Sequence, residues 1–148
     1  MKKVLAIILA LVMALSLMAC GSSPAQQPSG DANADAETPV VTDGATLGEG
    51  AHSFTLEITD ADGKTITATI NTDEETVGAA LLKLNIIQGE NSDYGLYVKT
   101  VNGITADYDK DQTYWSFYID GEYAQTGVDM TAVNDDSTYK LAVETMAQ

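Results

Sequence analysis

Apolar and polar residues alternate twice near the middle of the chain: Phe54, Leu56 and Ile58 share one side of Ser53–Thr59, and Ile66, Ala68 and Ile70 share one side of Thr65–Ile70. A period of two is that of a half-buried strand. Asp60-Ala61-Asp62-Gly63 between the two runs supplies residues that tolerate the backbone angles of a tight turn, so the pair predicts a β-hairpin. The period then lengthens. Val77, Ala80, Leu81, Leu84 and Ile87 recur at helical spacing. Thr72-Asp73-Glu74-Glu75 ahead of them has the spacing of a capping box, and Gly89-Glu90-Asn91-Ser92-Asp93 closes the segment. Short strands follow at Leu96–Val101, Tyr114–Ile119, Glu122–Gln125 and Tyr139–Glu144, with Asp120-Gly121 as a second hairpin signal. Within them Trp115, Phe117 and Ile119 share a face, as do Tyr139, Leu141 and Val143. Hairpin, helix and then strands predicts an α+β domain, one helix packed on a mixed sheet in a β-grasp-like arrangement.

The first fifty residues read differently. Met1-Lys2-Lys3 precedes an uncharged apolar run from Val4 to Ala19, the n-region and h-region of a signal peptide. The run is short for a span and is followed by Gly21-Ser22-Ser23-Pro24, which favours cleavage over a permanent helix. Leu17-Met18-Ala19-Cys20-Gly21 is similar to the bacterial lipobox, which implies diacylglycerol on the Cys20 sulfur and a cut just before it. Cys20 is the single cysteine. An exported chain with one thiol forms no internal disulfide, and alkylation gives that thiol a fate. From Gly21 to about Gly50 large apolar residues are almost absent, so this stretch reads as a flexible acidic tether. The expected organisation is a signal peptide over 1–19, a lipidated cysteine and linker over 20–50, and one domain over 51–148. The expected location is outside the cytoplasmic membrane, anchored by lipid at the cell surface or envelope.

Charge narrows the function. The chain carries 22 acidic residues against seven lysines and arginines, a formal net charge of −15. Arginine is absent, which removes the usual bidentate clamp for phosphate. Such a charge repels nucleic acid and anionic headgroups, so the membrane partner is an anchor. Catalytic constellations are missing as well. His52, the single histidine, opens the first strand and reads as a solvated residue. Asp107-Tyr108-Asp109-Lys110-Asp111 alternates oxygen ligands like a calcium loop, but Gln112 stands where the loop needs Gly and Tyr118 where it needs Glu. The expectation is no enzyme, no catalytic residue, no catalytic cofactor and no metal. Aromatics crowd the last third instead. With Trp115 and Phe117 inward, Tyr114, Ser116 and Tyr118 point outward, toward solvent, a ligand or a partner protein. Tyrosine is also a good strand former with a wet hydroxyl, which is the plainer explanation of the same residues.

Tyr94-Gly95-Leu96-Tyr97-Val98-Lys99-Thr100-Val101-Asn102-Gly103, then Thr113-Tyr114-Trp115, then Gln125-Thr126-Gly127-Val128, and finally Asp135-Asp136 before a strand with Glu144, occur in a distinctive order. Over about residues 53–145 the chain resembles the C-terminal β-domain of the cobalamin carriers transcobalamin and intrinsic factor, a domain that recurs in bacterial surface proteins without known function. In the carriers cobalamin sits between this domain and a helical barrel, for which the mature chain has no room. The resemblance implies a small-molecule ligand, cobalamin or a related corrinoid or tetrapyrrole, met by Tyr97, Tyr114, Tyr118, Tyr123, Gln125 and Thr126, with Trp115 as a core anchor. It also implies handover to a transporter. The alternative is a protein–protein interaction module of the cell envelope with no small ligand.

Overall fold

The computed structural model describes residues 41–146. The expected signal peptide, Cys20 and most of the expected tether lie outside the described residues. Those described form a mixed domain dominated by strands in two sheets, with few helices. The strands are β1 (Ala45–Gly48), β2 (His52–Thr59), β3 (Thr65–Thr72), β4 (Ile87–Ser92), β5 (Gly95–Val101), β6 (Ile104–Thr105), β7 (Thr113–Ile119), β8 (Glu122–Tyr123) and β9 (Thr138–Thr145). The helices are α1 (Val77–Lys83) and α2 (Tyr108–Asp111), and a 3-10 turn occupies Val128–Met130.

The larger sheet has the order β1-β3-β2-β9-β7-β8, and the smaller is β4-β5-β6. β2 and β3 form the predicted antiparallel hairpin, with Phe54 opposite Ile70 and Leu56 opposite Ala68. Asp60 builds the turn: its Oδ1 accepts from the amides of Asp62 and Lys64. β9 returns to lie parallel to β2 and antiparallel to β7, so the first and last long strands are neighbours at the sheet centre. Asp120 and Gly121 both take positive φ, 50° and 87°, the mirror-image turn that an Asp-Gly pair favours between twisted strands.

One face of the larger sheet is dry. Phe54, Leu56, Ile70, Tyr139 and Leu141 are at most 1% exposed, and they meet Val77 and Leu81 of α1 and Ile86, Ile87, Val98 and Val101 of the smaller sheet region. Each such side chain contributes about 1.5–3 kcal/mol by leaving water. Tyr139 sits at the centre, its ring edge-on to Phe54 at 5.1 Å and stacked with Phe117 at 6.0 Å. Its hydroxyl donates to the Ala132 carbonyl and accepts from the Asn134 amide, which ties down the long connection from β8 to β9.

Besides the second sheet and α2, which the pattern does not predict, and β8, which ends at Tyr123 instead of Gln125, the structure departs from the sequence pattern in three places. First, the helix is shorter and starts later. Thr76 is the N-cap, its Oγ1 accepting from the Ala79 amide, whereas Thr72 ends β3 and its Oγ1 accepts from the Glu74 amide. At the other end Asn85 adopts φ +54°, the Asn85 amide bonds the Leu82 carbonyl and the Ile86 amide bonds the Leu81 carbonyl. That is a left-handed cap with a hydrophobic clasp between Ile86 and Leu81, so Ile87 of the apolar stripe opens β4 instead of continuing the helix. Second, of Gly89–Asp93, read as the cluster that ends the helix, residues 89–92 pair with β5. Gly89 permits this, because a Cβ there would lie 2.2 Å from the Tyr97 carbonyl oxygen, at a bulge that interrupts the ladder. Third, the ordered sheet begins before the boundary placed at residue 50: β1 runs parallel to β3, and Val41 is buried. The Asn102 side chain holds it there, accepting from the Val41 amide and donating to the Val41 carbonyl like a strand neighbour.

Candidate ligand face around Glu144

The face of the larger sheet opposite the core carries the outward residues of β7 and β9. Register sets their pairing: Tyr114 stands opposite Glu144, Ser116 opposite Ala142 and Tyr118 opposite Lys140. Tyr114 donates to Glu144 Oε2 at 3.2 Å, and Tyr118 donates to Glu144 Oε1 in a short contact. Lys140 and Glu144 are four residues apart, about 13 Å along a strand, so Tyr118 has to lean along the sheet to reach that carboxylate. Small residues make this possible. Ser116 is 1% and Ala142 7% exposed although both lie on the open face, because the tyrosine and glutamate side chains roof them. Ser116 spends its own hydroxyl hydrogen on the Ala142 carbonyl.

The charges respond to this arrangement. Glu144 is held below the ordinary carboxylate range, first by the bond from Tyr118 and against partial loss of water. Tyr118 is raised, chiefly by its bond to Glu144, and Tyr114 is raised by loss of water and then by the same carboxylate. The rings of Tyr123, from β8, and Tyr118 stand perpendicular with centroids 5.5 Å apart, and the Lys140 ammonium lies 5.8 Å from the Tyr118 ring centroid. Beside this group a shallow hollow of about 570 Å³ is lined by Ile119, Asp120, Glu122, Tyr123, Ala124, Gln125 and Thr126.

The structure thus brings five of the six residues singled out from sequence to one region: Tyr114, Tyr118 and Tyr123 around Glu144, with Gln125 and Thr126 in the adjoining hollow. Gln125 is exposed, and the Thr126 hydroxyl pairs with the Thr131 hydroxyl at 3.1 Å. Tyr97 is elsewhere, exposed on β5 of the smaller sheet opposite Glu90. Trp115 lies on the buried face, as expected of an anchor, with no partner for its indole N–H. Glu144 is the residue that organises the cluster, and its signal was the direct pairing of β7 with β9. A second cavity, of about 410 Å³, was not foreseen; Val41, Ile58, Ile66 and Ile104 give it apolar walls and Asp43, Asp60 and Lys64 a charged rim.

The other acidic motifs have local duties. Asp107 caps α2 through the Asp109 amide, pairs with Lys110 at 3.1 Å and is lowered mainly by that lysine. Asp135 accepts from the Ser53 amide and pairs with His52, which lowers it too. Among the described residues no three His, Cys, Asp or Glu side chains converge in a way that could hold a metal ion.

Residues 74–143 match the family model described as "Domain of unknown function (DUF4430)". Among solved structures, the chain is similar to a "putative metal binding protein" from Ruminococcus gnavus, at 29% identity and a TM-score of 0.62, over 66% of this chain and 100% of that one. Haptocorrin in complex with Cbi aligns with a TM-score of 0.47 and 16% identity, over 64% of this chain and 26% of haptocorrin. Among curated proteins, none matches the sequence.

Proposed function

We propose that this chain is a lipid-anchored envelope protein whose domain captures a small organic ligand, with cobalamin or a related corrinoid or tetrapyrrole as the leading candidate, and hands it to a membrane transporter. The observation that carries the reading is the convergence of Tyr114, Tyr118, Tyr123, Gln125 and Thr126 on one solvent-facing region. Aromatic faces beside convergent polar groups suit a flat, amide-fringed molecule. The sequence resemblance to the cobalamin carriers points the same way, and the central parallel pair β2–β9 with its flanking hairpin supports a β-grasp-like description of the larger sheet. The similarity to a "putative metal binding protein" from Ruminococcus gnavus brings a metal ion into view as another ligand. Anchoring by Cys20 places capture outside the cell. A second reading, a protein-interaction module, is favoured by the exposed aromatics of the β4–β5 hairpin, Tyr94 in its turn and Tyr97 on β5.

The test is a titration of the purified chain with cyanocobalamin and cobinamide, watching the emission of Trp115, which a bound corrin quenches by energy transfer. Saturable quenching by about 50 µM, a modest affinity of roughly −6 kcal/mol, supports the reading. Absence of quenching, together with retention of one envelope protein on the immobilised chain, overturns it in favour of the interaction module.

A further inference from the structure

The direction of the hydrogen bonds in the Glu144 cluster says which chemistry it can greet. Tyr114 and Tyr118 each have one hydroxyl hydrogen, and both are donated inward to Glu144. Ser116 spends its hydrogen on a backbone carbonyl. An ionised carboxylate has none. Every polar atom that these four side chains turn toward solvent is therefore an acceptor: the spare lone pairs of Glu144 and of two phenols.

Three further observations agree. The Lys140 ammonium already lies 5.8 Å from the Tyr118 ring, so the chain's own cation occupies one side of the aromatic group. Tyr123 is 56% exposed on β8, its ring perpendicular to that of Tyr118, so an aromatic side chain beside the carboxylate remains open to solvent. The net charge of −15 draws cations toward such a surface and turns anions away.

We infer that Glu144, Tyr114, Tyr118 and Tyr123 form a receptor for an organic ammonium group, with the carboxylate and phenol oxygens accepting its N–H bonds and the rings packing against its alkyl carbons. The inference rests on the same face as the proposed function but goes beyond it, since a corrinoid offers amide N–H groups and no ammonium, and the two ligand classes are separated by the test. Lys140 competes with the ligand for the Tyr118 ring and for Glu144.

The test follows the aromatic NMR resonances of the full chain during titration with n-butylammonium chloride, with sodium chloride at equal ionic strength as the control. Saturable movement of the Tyr114, Tyr118 and Tyr123 rings is expected, while Phe117 on the other face stays still. Glu144→Gln weakens the binding about fivefold, as does loss of an exposed charge pair. Lys140→Gln tightens it about two- to fivefold by removing the competitor. Should Glu144→Gln disturb folding, Tyr123→Ala at the exposed tip is expected to weaken binding about threefold. Tyrosine movements matched by sodium chloride, or affinities indifferent to Lys140→Gln and Tyr123→Ala, overturn the inference. Quenching by cyanocobalamin without any response to butylammonium sinks this inference and leaves the proposed function standing; the converse pair of results removes cobalamin and keeps the ammonium receptor.

Discussion

Replacing Tyr139 by Phe isolates one hydroxyl at the centre of the core. The ring is retained, so its edge-on contact with Phe54 and its stacking on Phe117 survive. What disappears is the donor to the Ala132 carbonyl at 2.9 Å and the acceptor for the Asn134 amide at 3.0 Å. Ala132 and Asn134 are themselves exposed, so both groups can recover water once the loop moves. A buried pair left wholly unsatisfied would cost about 1–3 kcal/mol for each group, and access to water brings the expected total to about 1–3 kcal/mol. In a domain of this size that corresponds to a fall in Tm of roughly 4–24 °C. Urea unfolding gives the free energy, and hydrogen exchange at the Asn134 amide reports the local release. The Thr76–Ala132 bridge and the bonds from Val77 to Thr131 and from Val133 to Glu75 lie beside the freed groups, so exchange is expected to rise there too. A loss under about 0.5 kcal/mol with unchanged exchange would refute the view that Tyr139 pins the β8–β9 connection.

Other perturbations address the sheet, the site and the anchor. Gly89→Ala puts a Cβ 2.2 Å from the Tyr97 carbonyl oxygen, so the β4–β5 ladder has to shift; a loss of about 2 kcal/mol in urea unfolding is expected, and a loss under 0.5 contradicts the close approach. Stability should also depend on pH at both ends of the scale through the Glu144 cluster. Glu144 is lowered in the fold, so its contribution is complete above the unfolded value of about 4.3 and vanishes as pH falls through the folded value. Tyr114 and Tyr118 are raised, so theirs is complete below about 10 and vanishes as pH rises through the folded values. Urea midpoints of the wild type and Glu144→Gln across pH should converge at both extremes, and parallel curves would refute the coupling. An alkyne fatty acid fed to expressing cells is expected to label the chain through Cys20, and equal labelling of Cys20→Ala would refute the anchor.

Local chemistry was legible where a short motif decides the backbone. The β2–β3 hairpin followed from alternation around Asp60–Gly63, and the β7–β8 turn from Asp120-Gly121. The helix boundary was not, because Asn85 rather than a glycine supplies the left-handed cap, and an asparagine among Leu84, Ile86 and Ile87 does not interrupt an apolar stripe. β1 and β4 were missed since their residues are mostly small or polar; β1 is made a strand by β3, a partner distant in sequence, and β4 by a hairpin with β5 that a helical reading of Ile87 conceals. At the site, alternation placed Tyr114 and Tyr118 on one face, whereas the central role of Glu144 needed the register of β7 against β9. Tyr97 shows the same limit from the other side. Its exposure was readable, but its membership of a separate sheet depends on the pairing of β5 with β4 and β6, which alternation does not reveal.

The central claim is that the open face of β7, β8 and β9 receives the ligand. Chemical-shift mapping of the isotope-labelled chain with cyanocobalamin tests it most directly. The account predicts movement confined to Tyr114, Tyr118, Tyr123, Gln125, Thr126 and Glu144. Movement centred instead on the cavity of Val41, Ile58, Ile66 and Ile104, or none at saturating ligand, would contradict it.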